Sequence, residues 1–511
     1  MPARTGQQYL DGLRRSKREL WLGNERVDDI VDHPALSGGA KSMARLYDIQ
    51  HEHPEDCLVP DPETGEPINV SHITPRSKED VLLRGRGIQR IADATVGMMG
   101  RSPDYVNCCF GGFVGQAELW AGPDKSNEEG AHNLVSWQKK ARREDLACTH
   151  AIINPTNDYS QELLVTGKAA PVHKVSETAD SIVVRGAKAL GTLAPYADEL
   201  TVWPAQPLFQ EGAGPYALSF AIPMDTPGLI FLCRDSAAAT KDSAFDRPLS
   251  SRFDEQDAFV IFDDVEIPKE RVFLDGHRDI YNSALANGFF PNMQQHTTIR
   301  ALTKLQFALG LAARIAETVN DSSDHTVDML GELYCYVELT QNALSLAEEH
   351  CREYPGGVVF PDDTPLDVMR VMLPQWMPRA VEIIKLVGRH NLLATPSKAM
   401  IDDPRLAGLI DVTLAGAEGK NAVDRVALYR LAWDFVGSFL AGRHDLYERF
   451  YIGSARQGKK VLWMNAQGQF AKGYAAIGDG QKARRRAPSR RRADELVGSL
   501  LARMAEGSSP A

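Results

Sequence analysis

Apolar residues recur at helical spacing through most of the first 145 positions. Residues 9–13 predict an amphipathic start, and longer helical patterns follow over residues 40–49, 78–99 and 128–143. Leu20–Leu22 followed by Gly23-Asn24 predicts a short hairpin. Residues 54–76, rich in Pro, Asp, Glu and Gly, predict an extended surface connection. The first part of the chain is therefore expected to be a helical domain.

The pattern changes between about residue 146 and residue 275. Short runs rich in β-branched and aromatic residues alternate there with turn residues, over 181–184, 199–203, 216–222, 229–233 and 258–262. Runs at this spacing predict a small antiparallel barrel or sandwich, and we expect a barrel. Residues 206–215, which contain Gln, Pro, Gly and Ala, predict a mobile hairpin loop.

From about residue 285 to residue 455 the pattern is strongly helical again. One apolar stripe consists of Ile299, Leu302, Leu305, Leu309, Ala312 and Ile315, and another of Met329, Leu330, Leu333, Val337 and Leu344. Long helices joined by short loops predict a bundle. The predicted class is α+β but mostly α, with domains at 1–145 (helical), 146–280 (β-barrel) and 281–470 (helical bundle). This order resembles the acyl-CoA dehydrogenase architecture.

Residues 471–511 form a separate tail with a basic run between Lys482 and Arg492. We expect a solvated, disordered extension, with an interaction arm as the alternative.

Composition and charge narrow the class of protein further. The chain has 511 residues, 43% hydrophobic and 24% charged, and its net charge of −11 argues against general nucleic-acid binding. Seven scattered cysteines do not suggest a disulfide framework, so a reducing cytoplasm is expected. No apolar run of transmembrane length and no signal-peptide pattern is visible. The pair Gly85 and Gly87 lacks the third glycine of a dinucleotide fingerprint, which argues against a nicotinamide site.

The segment Met98–Tyr105 carries the first candidate chemistry. The helical pattern before it stops at Gly100, and Pro103 is expected to prevent a regular helix from resuming. Arg101 and Tyr105 would then lie on a turn beside an anchored helix. The alternative is an Arg that caps helix carbonyls and a Tyr packed in a loop.

Several segments in this order resemble one enzyme family. They are Gly100–Tyr105, His150–Pro155, Gly186–Lys188 with Thr192, Pro248–Glu255 and Gly442–Arg449. With them the chain, over roughly residues 5–470, resembles the oxygenase component of the 4-hydroxyphenylacetate 3-monooxygenase family. The basic tail lies outside the resemblance.

The resemblance implies a two-component, reduced-flavin-dependent phenol hydroxylase. A separate NAD(P)H:flavin reductase would supply FADH2, O2 would form a flavin C4a-hydroperoxide, and its distal oxygen would pass to the carbon ortho to a phenol hydroxyl. Arg101, Tyr105 and His150 match the family's phenol-contacting positions, where polarising groups make the ring a better nucleophile. Ala205 and Gln206 are further substrate-binding candidates.

A second histidine is expected to contact the flavin hydroperoxide. His296, which opens a long predicted helix, is the candidate donor to the peroxide, and a structural histidine is the alternative.

The flavin contacts implied by the resemblance are spread along the chain. They are His150, Ala151, Ile152, Thr192, Arg443, Gly453 and Ser454. Thr156 and Tyr159 are two further candidates for flavin contact. The family usually has a Gln and an Arg at these two positions, so a cationic contact is expected to be missing there. FAD is the expected cofactor, FMN the alternative, and no metal is expected.

Other functions on this fold stay open. Cys108 and Cys109 are adjacent, and Thr303 follows His296 by seven residues, so the ligands of a dehydratase iron–sulfur cluster are not found. An acyl-CoA dehydrogenase would need a carboxylate base, which the sequence does not identify. A non-catalytic binding or assembly protein would retain the fold with a decayed flavin site. We expect a homotetramer with no nucleic-acid or membrane partner, and the identity of the phenol, free or carrier-bound, is left open.

Overall fold

The structure is a computed structural model that describes residues 3–156, 171–205, 207–238, 244–285, 289–451 and 453–467, together with residue 495. It is an α+β protein dominated by helices. Within these residues, no helix is long and apolar enough to cross a membrane. Tyr159, Gln206 and the predicted tail at 471–511, apart from residue 495, lie outside the described residues.

The first part of the chain is helical, as predicted. Its helices are α1 (Gly6–Arg15), α2 (Ser37–Glu52), α3 (Pro54–Cys57), α4 (Lys78–Ala94), α5 (Pro103–Gly115), α6 (Ala117–Ala121) and α7 (Glu128–Glu144). The predicted hairpin is present as β1 (Glu19–Leu22) and β2 (Glu25–Arg26), and β3 (Leu58–Pro60) pairs with β4 (Pro67–Asn69) in the predicted surface connection.

The prediction that Tyr105 lies on a turn is wrong. Helix α4 ends at Ala94, a connection that includes Val96 and Gly97 at positive φ follows, and α5 begins at Pro103. Proline is tolerated in the first helical turn, where its missing N–H is not needed. Pro103 therefore starts a helix, and Tyr105 lies in the first turn of α5.

The middle of the chain forms two sheets. Their strands are β5 (Cys148–His150), β6 (His173–Glu177), β7 (Ser181–Thr192), β8 (Glu199–Val202), β9 (Leu218–Pro223), β10 (Leu229–Cys233), β11 (Asp257–Pro268) and β12 (Val272–Asp275). The orders are β2-β1-β10-β11-β7-β6 and β12-β9-β8-β5. Buried side chains from both sheets share one apolar core, among them Val184, Leu200, Phe220, Phe231 and Phe262.

The predicted antiparallel barrel is therefore wrong in two respects. The described strands do not close into a barrel, and β1 with β10 and β5 with β8 pair in parallel. Alternating apolar positions specify which residues form strands, but not which strands become neighbours. The N-terminal hairpin joins the larger sheet, while the domain boundaries at 145 and 280 stay a prediction.

The C-terminal part is the predicted helical bundle. It contains α8 (Arg278–Ser283), α9 (Phe289–Thr318), α10 (Asp324–Glu349), α11 (Asp363–Gly388), α12 (Lys398–Asp402), α13 (Ala407–Leu414), α14 (Ala422–Val436), α15 (Phe439–Phe450) and α16 (Ala455–Ala466), with the small hairpin β13 (Arg352–Tyr354) and β14 (Val358–Phe360). The predicted stripe of α9 is buried or partly buried. Polar residues of its first half are buried too, because α9 runs between α4, α5, α10 and α11.

Candidate active site

A cavity of about 980 Å³ opens between α5, the two sheets, α9 and α15. One side is apolar, formed by Ile152, Trp203, Leu285, Phe289, Phe290 and Met293. The guanidinium groups that line it within the described residues belong to Arg101, Arg234, Arg370 and Arg443. A concave, mostly apolar site with a few convergent polar groups is the usual form of a small-molecule site.

Helix α15 is fixed against α9 by buried charges. Glu448 of α15 pairs with Arg300 at 2.7 Å and with Lys304 at 2.8 Å, both on α9. Arg300 also donates to the carbonyl of Gly97 at 2.8 Å, so the connection that carries Arg101 is tied to the same cluster. These contacts hold α15 in one position relative to α9 and to the connection before α5.

Arg101 is buried at the cavity wall. Its Nη2 donates to the carbonyl of Tyr451 at 3.0 Å, and its guanidinium lies 4.1 Å from the ring centroids of both Tyr105 and Tyr451. Its main-chain N–H donates to the carboxylate of Glu255. No described carboxylate pairs with the guanidinium itself, so a planar cation faces the cavity and can bind an anion such as a phenolate.

Tyr105 and His150 lie beside this cation. The ring centroid of Tyr105 is 5.5 Å from that of His150, and the Tyr105 hydroxyl donates to Met293 Sδ at 2.8 Å. Burial raises the pKa of Tyr105, so its phenol stays protonated. Because a thioether is a weak acceptor, this hydroxyl can turn to a better partner in the cavity.

His150 is held rigidly and in its neutral form. Its ring stacks on Trp203 at 4.8 Å with an interplanar angle of 3°. Burial, and then the positive charge of Arg101, hold the pKa of His150 well below its usual range. Its buried Nδ1 has no hydrogen-bond partner within the described residues. A neutral imidazole with an unused nitrogen is suited to a hydrogen bond with a phenol hydroxyl.

The structure brings several of the predicted cofactor residues to this cavity. Ile152, Thr192, Arg443 and Gly453 line it together with His150. The Thr192 hydroxyl already donates to Asp257 at 2.8 Å, so the hydroxyl oxygen can still accept a hydrogen bond from a ligand. Arg443 makes two bonds of 2.9 Å to the same carboxylate.

Other predicted residues lie outside the cavity wall. The N–H of Ala151 is used by the carbonyl of Thr201 at 3.0 Å. Ser454 caps α16, and Thr156 is exposed and does not line the cavity. Ala205 does line it, as expected for a substrate contact. Tyr159 and Gln206 lie outside the described residues.

His296 is near the site but does not line the cavity. It is the eighth residue of α9 and is buried, with its ring 5.4 Å from that of Tyr105 and its Nε2 3.0 Å from Asp104 Oδ2. His296 therefore contacts Tyr105, which lines the cavity, and does not line the cavity itself. Its assignment to the peroxide stays a prediction.

Sequence reasoning missed the carboxylates behind the arginines. Asp257 accepts from Arg234, Arg443 and Thr192, while Glu255 accepts from Arg101 and Arg443. Burial opposes ionisation of Asp257, but Arg443 and Arg234 outweigh it and hold the pKa of Asp257 well below its usual range. The sequence did not reveal these contacts, because contacts between distant segments leave no local pattern.

The fold and the site define a class of protein. It is a mostly helical α+β protein with a deep cavity whose arginines and aromatic rings suit a planar ligand and an anionic oxygen.

Comparison with known proteins gives the family. Residues 5–274 match the description "4-hydroxyphenylacetate 3-hydroxylase N terminal", and residues 282–476 match "4-hydroxyphenylacetate 3-hydroxylase C terminal". The 4-hydroxyphenylacetate 3-monooxygenase oxygenase component of Thermus thermophilus is 38% identical over 456 residues, which cover 88% of this chain and 92% of that protein. The chain therefore belongs to the 4-hydroxyphenylacetate 3-hydroxylase family of enzymes.

Solved structures agree with this assignment. A 4-hydroxyphenylacetate 3-monooxygenase oxygenase component complexed with FAD and 4-hydroxyphenylacetate matches with a TM-score of 0.88 and 34% identity, over 98% of this chain and all 100% of that one. An archaeal 4-hydroxybutyryl-CoA dehydratase from N. maritimus matches with a TM-score of 0.82 at 20% identity, over 96% of this chain and 99% of that one, and shows a shared fold.

Proposed function

We propose that this chain is the oxygenase component of a two-component monooxygenase that uses reduced FAD and O2 to hydroxylate a phenol ortho to its hydroxyl. The observation that carries the proposal is the meeting of Arg101, Tyr105 and His150 at one wall of the cavity, with the Arg101 charge unpaired by any described carboxylate. A site built for a phenolate oxygen needs such a cation and such donors.

The residues present fit a flavin. The cavity of about 980 Å³ has an apolar wall for a flat ring system, with the Thr192 hydroxyl and the Arg443 guanidinium along it. Ile152, Thr192, Arg443 and Gly453 would hold the cofactor, as would the main chain at His150. Reduced FAD, when bound, supplies the oxygen atom taken from O2.

The chain's own residues act on the phenol. Arg101 stabilises negative charge on the phenol oxygen, neutral His150 accepts a hydrogen bond from the phenol hydroxyl, and Tyr105 donates to the same oxygen. The stacked Trp203 fixes the plane of His150. The apolar residues of the cavity exclude water from the reacting atoms.

Other activities on this fold are less well supported. Among the described residues, no group of three His, Cys, Asp or Glu side chains could hold a metal ion, which argues against a dehydratase cluster. The carboxylate that lines the cavity within these residues is that of Asp257. Its low pKa and its bonds to two arginines make it a poor base for acyl-CoA dehydrogenation.

The proposal extends to partners and location. A separate NAD(P)H:flavin reductase would supply the reduced cofactor, and a homotetramer in the cytoplasm is the expected form. All seven cysteines of the chain are free, in keeping with a reducing compartment.

The test supplies the purified full chain with FAD, NADH and an independent flavin reductase, and offers a panel of phenols to be read by mass spectrometry. A gain of one oxygen atom, located ortho to the hydroxyl by NMR, is expected for at least one phenol. Without the reductase, NADH should not be consumed. FAD binding with no product from any phenol would favour a non-catalytic binding protein, and titration with FMN would separate the two flavins.

A further inference from the structure

Glu255 lies where three parts of the chain meet. It precedes β11, is fully buried, and accepts the main-chain N–H of Arg101 through Oε1. Its other oxygen, Oε2, accepts from Arg443 Nη1 of α15 at 3.1 Å. Burial raises the pKa of Glu255, whereas Arg443 and the Arg101 N–H, which face its two oxygens, oppose this shift and favour the carboxylate form.

The contact between Glu255 and Arg101 is to the main chain only. A bond to the guanidinium would neutralise the charge that faces the cavity. Instead, Arg443 takes up the charge of Glu255, and the Arg101 guanidinium bonds to main-chain carbonyls and lies against two rings. Glu255 thus fixes the position of Arg101 and leaves its charge available.

We propose that Glu255 is a positioning residue, which holds Arg101 at the point where that arginine binds the phenolate oxygen and ties this point to Arg443 of α15. The inference rests on the proposed function, because it assigns the phenolate to Arg101. The alternative is a carboxylate that only strengthens the contact between α15 and the connection before α5.

The substitution Glu255→Gln separates these two roles. Glutamine has nearly the same shape, but one of its two polar atoms is a donor. Whichever way the amide turns, its NH2 group faces either the Arg101 N–H or the Arg443 guanidinium. Removal of a nearby negative charge would by itself strengthen phenolate binding. Loss of position and loss of charge therefore change the affinity in opposite directions.

The measurement uses 4-nitrophenol, whose phenolate absorbs visible light, titrated into the full chain in the presence of oxidised FAD over a range of pH. The matched control is Glu199→Gln. Glu199 is also a buried carboxylate, accepts from Trp137 at 2.6 Å and from Arg271 at 3.0 Å, and does not line the cavity. Melting temperatures of all variants are recorded alongside.

The wild-type chain should bind the phenolate and lower the pKa of the bound probe. Glu255→Gln should weaken nitrophenolate binding by about tenfold or more and return the pKa of the bound probe toward its free value, since small misplacements at a reacting centre are costly. Glu199→Gln should match the wild type in nitrophenolate affinity and in the pKa of the bound probe.

Equal or tighter nitrophenolate binding by Glu255→Gln, with only a lower melting temperature, would overturn the inference. If this variant does not fold, Glu255→Asp takes its place, since a carboxylate one methylene shorter cannot span both partners, and wild-type affinity in it would be equally decisive. A wild-type chain that leaves the pKa of the probe unchanged would instead refute the proposed role of Arg101, on which the inference rests.

Discussion

At the scale of single residues, the contacts of Arg101 show why its charge should matter more than its packing. The side chain is held by the carbonyl of Tyr451 and by two aromatic rings, so its truncation leaves no described carboxylate unpaired. The effect of a substitution is therefore expected in the reaction and less in the stability of the fold.

Arg101→Ala should lower the rate of phenol hydroxylation by ~10²-fold or more, as expected for the loss of one preorganised charge. Oxygen uptake should fall less, and H2O2 should take the place of product. The measurement is the ratio of hydroxylated phenol to O2 consumed. Arg142→Ala is a matched control, because Arg142 is equally buried but pairs with Asp61 away from the cavity. An unchanged ratio in Arg101→Ala would return Arg101 to a structural role.

His150 makes stability depend on pH, because burial and Arg101 keep its folded-state pKa well below its usual range. Below about pH 6.5 the unfolded chain binds a proton that the folded chain does not, so the free energy of unfolding should fall by up to about 1.4 kcal/mol per pH unit. His150→Asn should remove this contribution. His444→Asn should remove a second contribution of the same sign, since burial lowers the pKa of His444 too. Denaturant unfolding between about pH 8 and 5.5 checks this. Parallel curves for wild type and His150→Asn would contradict it.

His296 and Asp104 form a buried pair behind Tyr105, so they should act as one unit. We expect His296→Asn to raise H2O2 release when no phenol is present, whereas His150→Asn should slow product formation when phenol is added. Asp104→Asn should reproduce the His296 effect, and the double variant should be no worse than either single one. FAD binding is measured alongside. If the His150 and His296 variants behave alike, His296 belongs to the core.

At the scale of elements, the connection between α4 and α5 shows what local patterns predict. The helical spacing and the stop near Gly100 placed Arg101 correctly outside a helix, but the same reasoning misjudged Pro103. Two tyrosines, one in α15 and one directly after it, require glycine at position 100. An added Cβ would lie 2.5 Å from the Tyr447 hydroxyl and 2.9 Å from a ring carbon of Tyr451.

Two glycine substitutions should therefore have opposite effects. Gly100→Ala forces α15 away from the cavity wall and should lower the free energy of unfolding by about 1–3 kcal/mol, with weaker phenol binding. In Gly310→Ala, the added Cβ in α9 meets no atom within 4 Å. This substitution should raise the free energy of unfolding by up to about 1 kcal/mol, because alanine favours a helix interior. Thermal unfolding of both variants tests this. If both substitutions destabilise the protein, helix propensity does not determine the effect of Gly310→Ala on stability.

At the scale of the whole molecule, large apolar side chains are exposed in groups, as at surfaces that bind other proteins. Large apolar side chains at the rim of the cavity are exposed, among them Ile153, Phe439, Leu446 and Phe450. A further group lies near α12 and α13, where Leu393, Leu409 and Val412 are 75%, 65% and 83% exposed. We expect other copies of the chain to cover these surfaces.

Light scattering should accordingly report a homo-oligomer, and we expect four times the chain mass of 56.3 kDa. High concentrations of sulfate should not dissociate the assembly, because this salt is excluded from the protein surface and strengthens apolar burial. A mass of 56.3 kDa across micromolar concentrations would contradict this expectation.

The sequence alone determined the order of the helical and β-rich segments, and it predicted the residues of the proposed phenol site. Helical spacing over residues 299–315 and β-rich runs such as 229–233 depend on near neighbours in the chain, so they can be recognised without the fold. The segments around Arg101, Tyr105 and His150 also carried enough of the family pattern to be recognised.

Only the tertiary structure decided which elements became neighbours. It joined an N-terminal hairpin to β10, left the sheets unclosed and placed His296 behind Tyr105. It also brought Glu255 between Arg101 and Arg443, positions far apart in the chain. Pairing of this kind depends on the burial and charge of distant segments together, and no local spacing in the sequence records it.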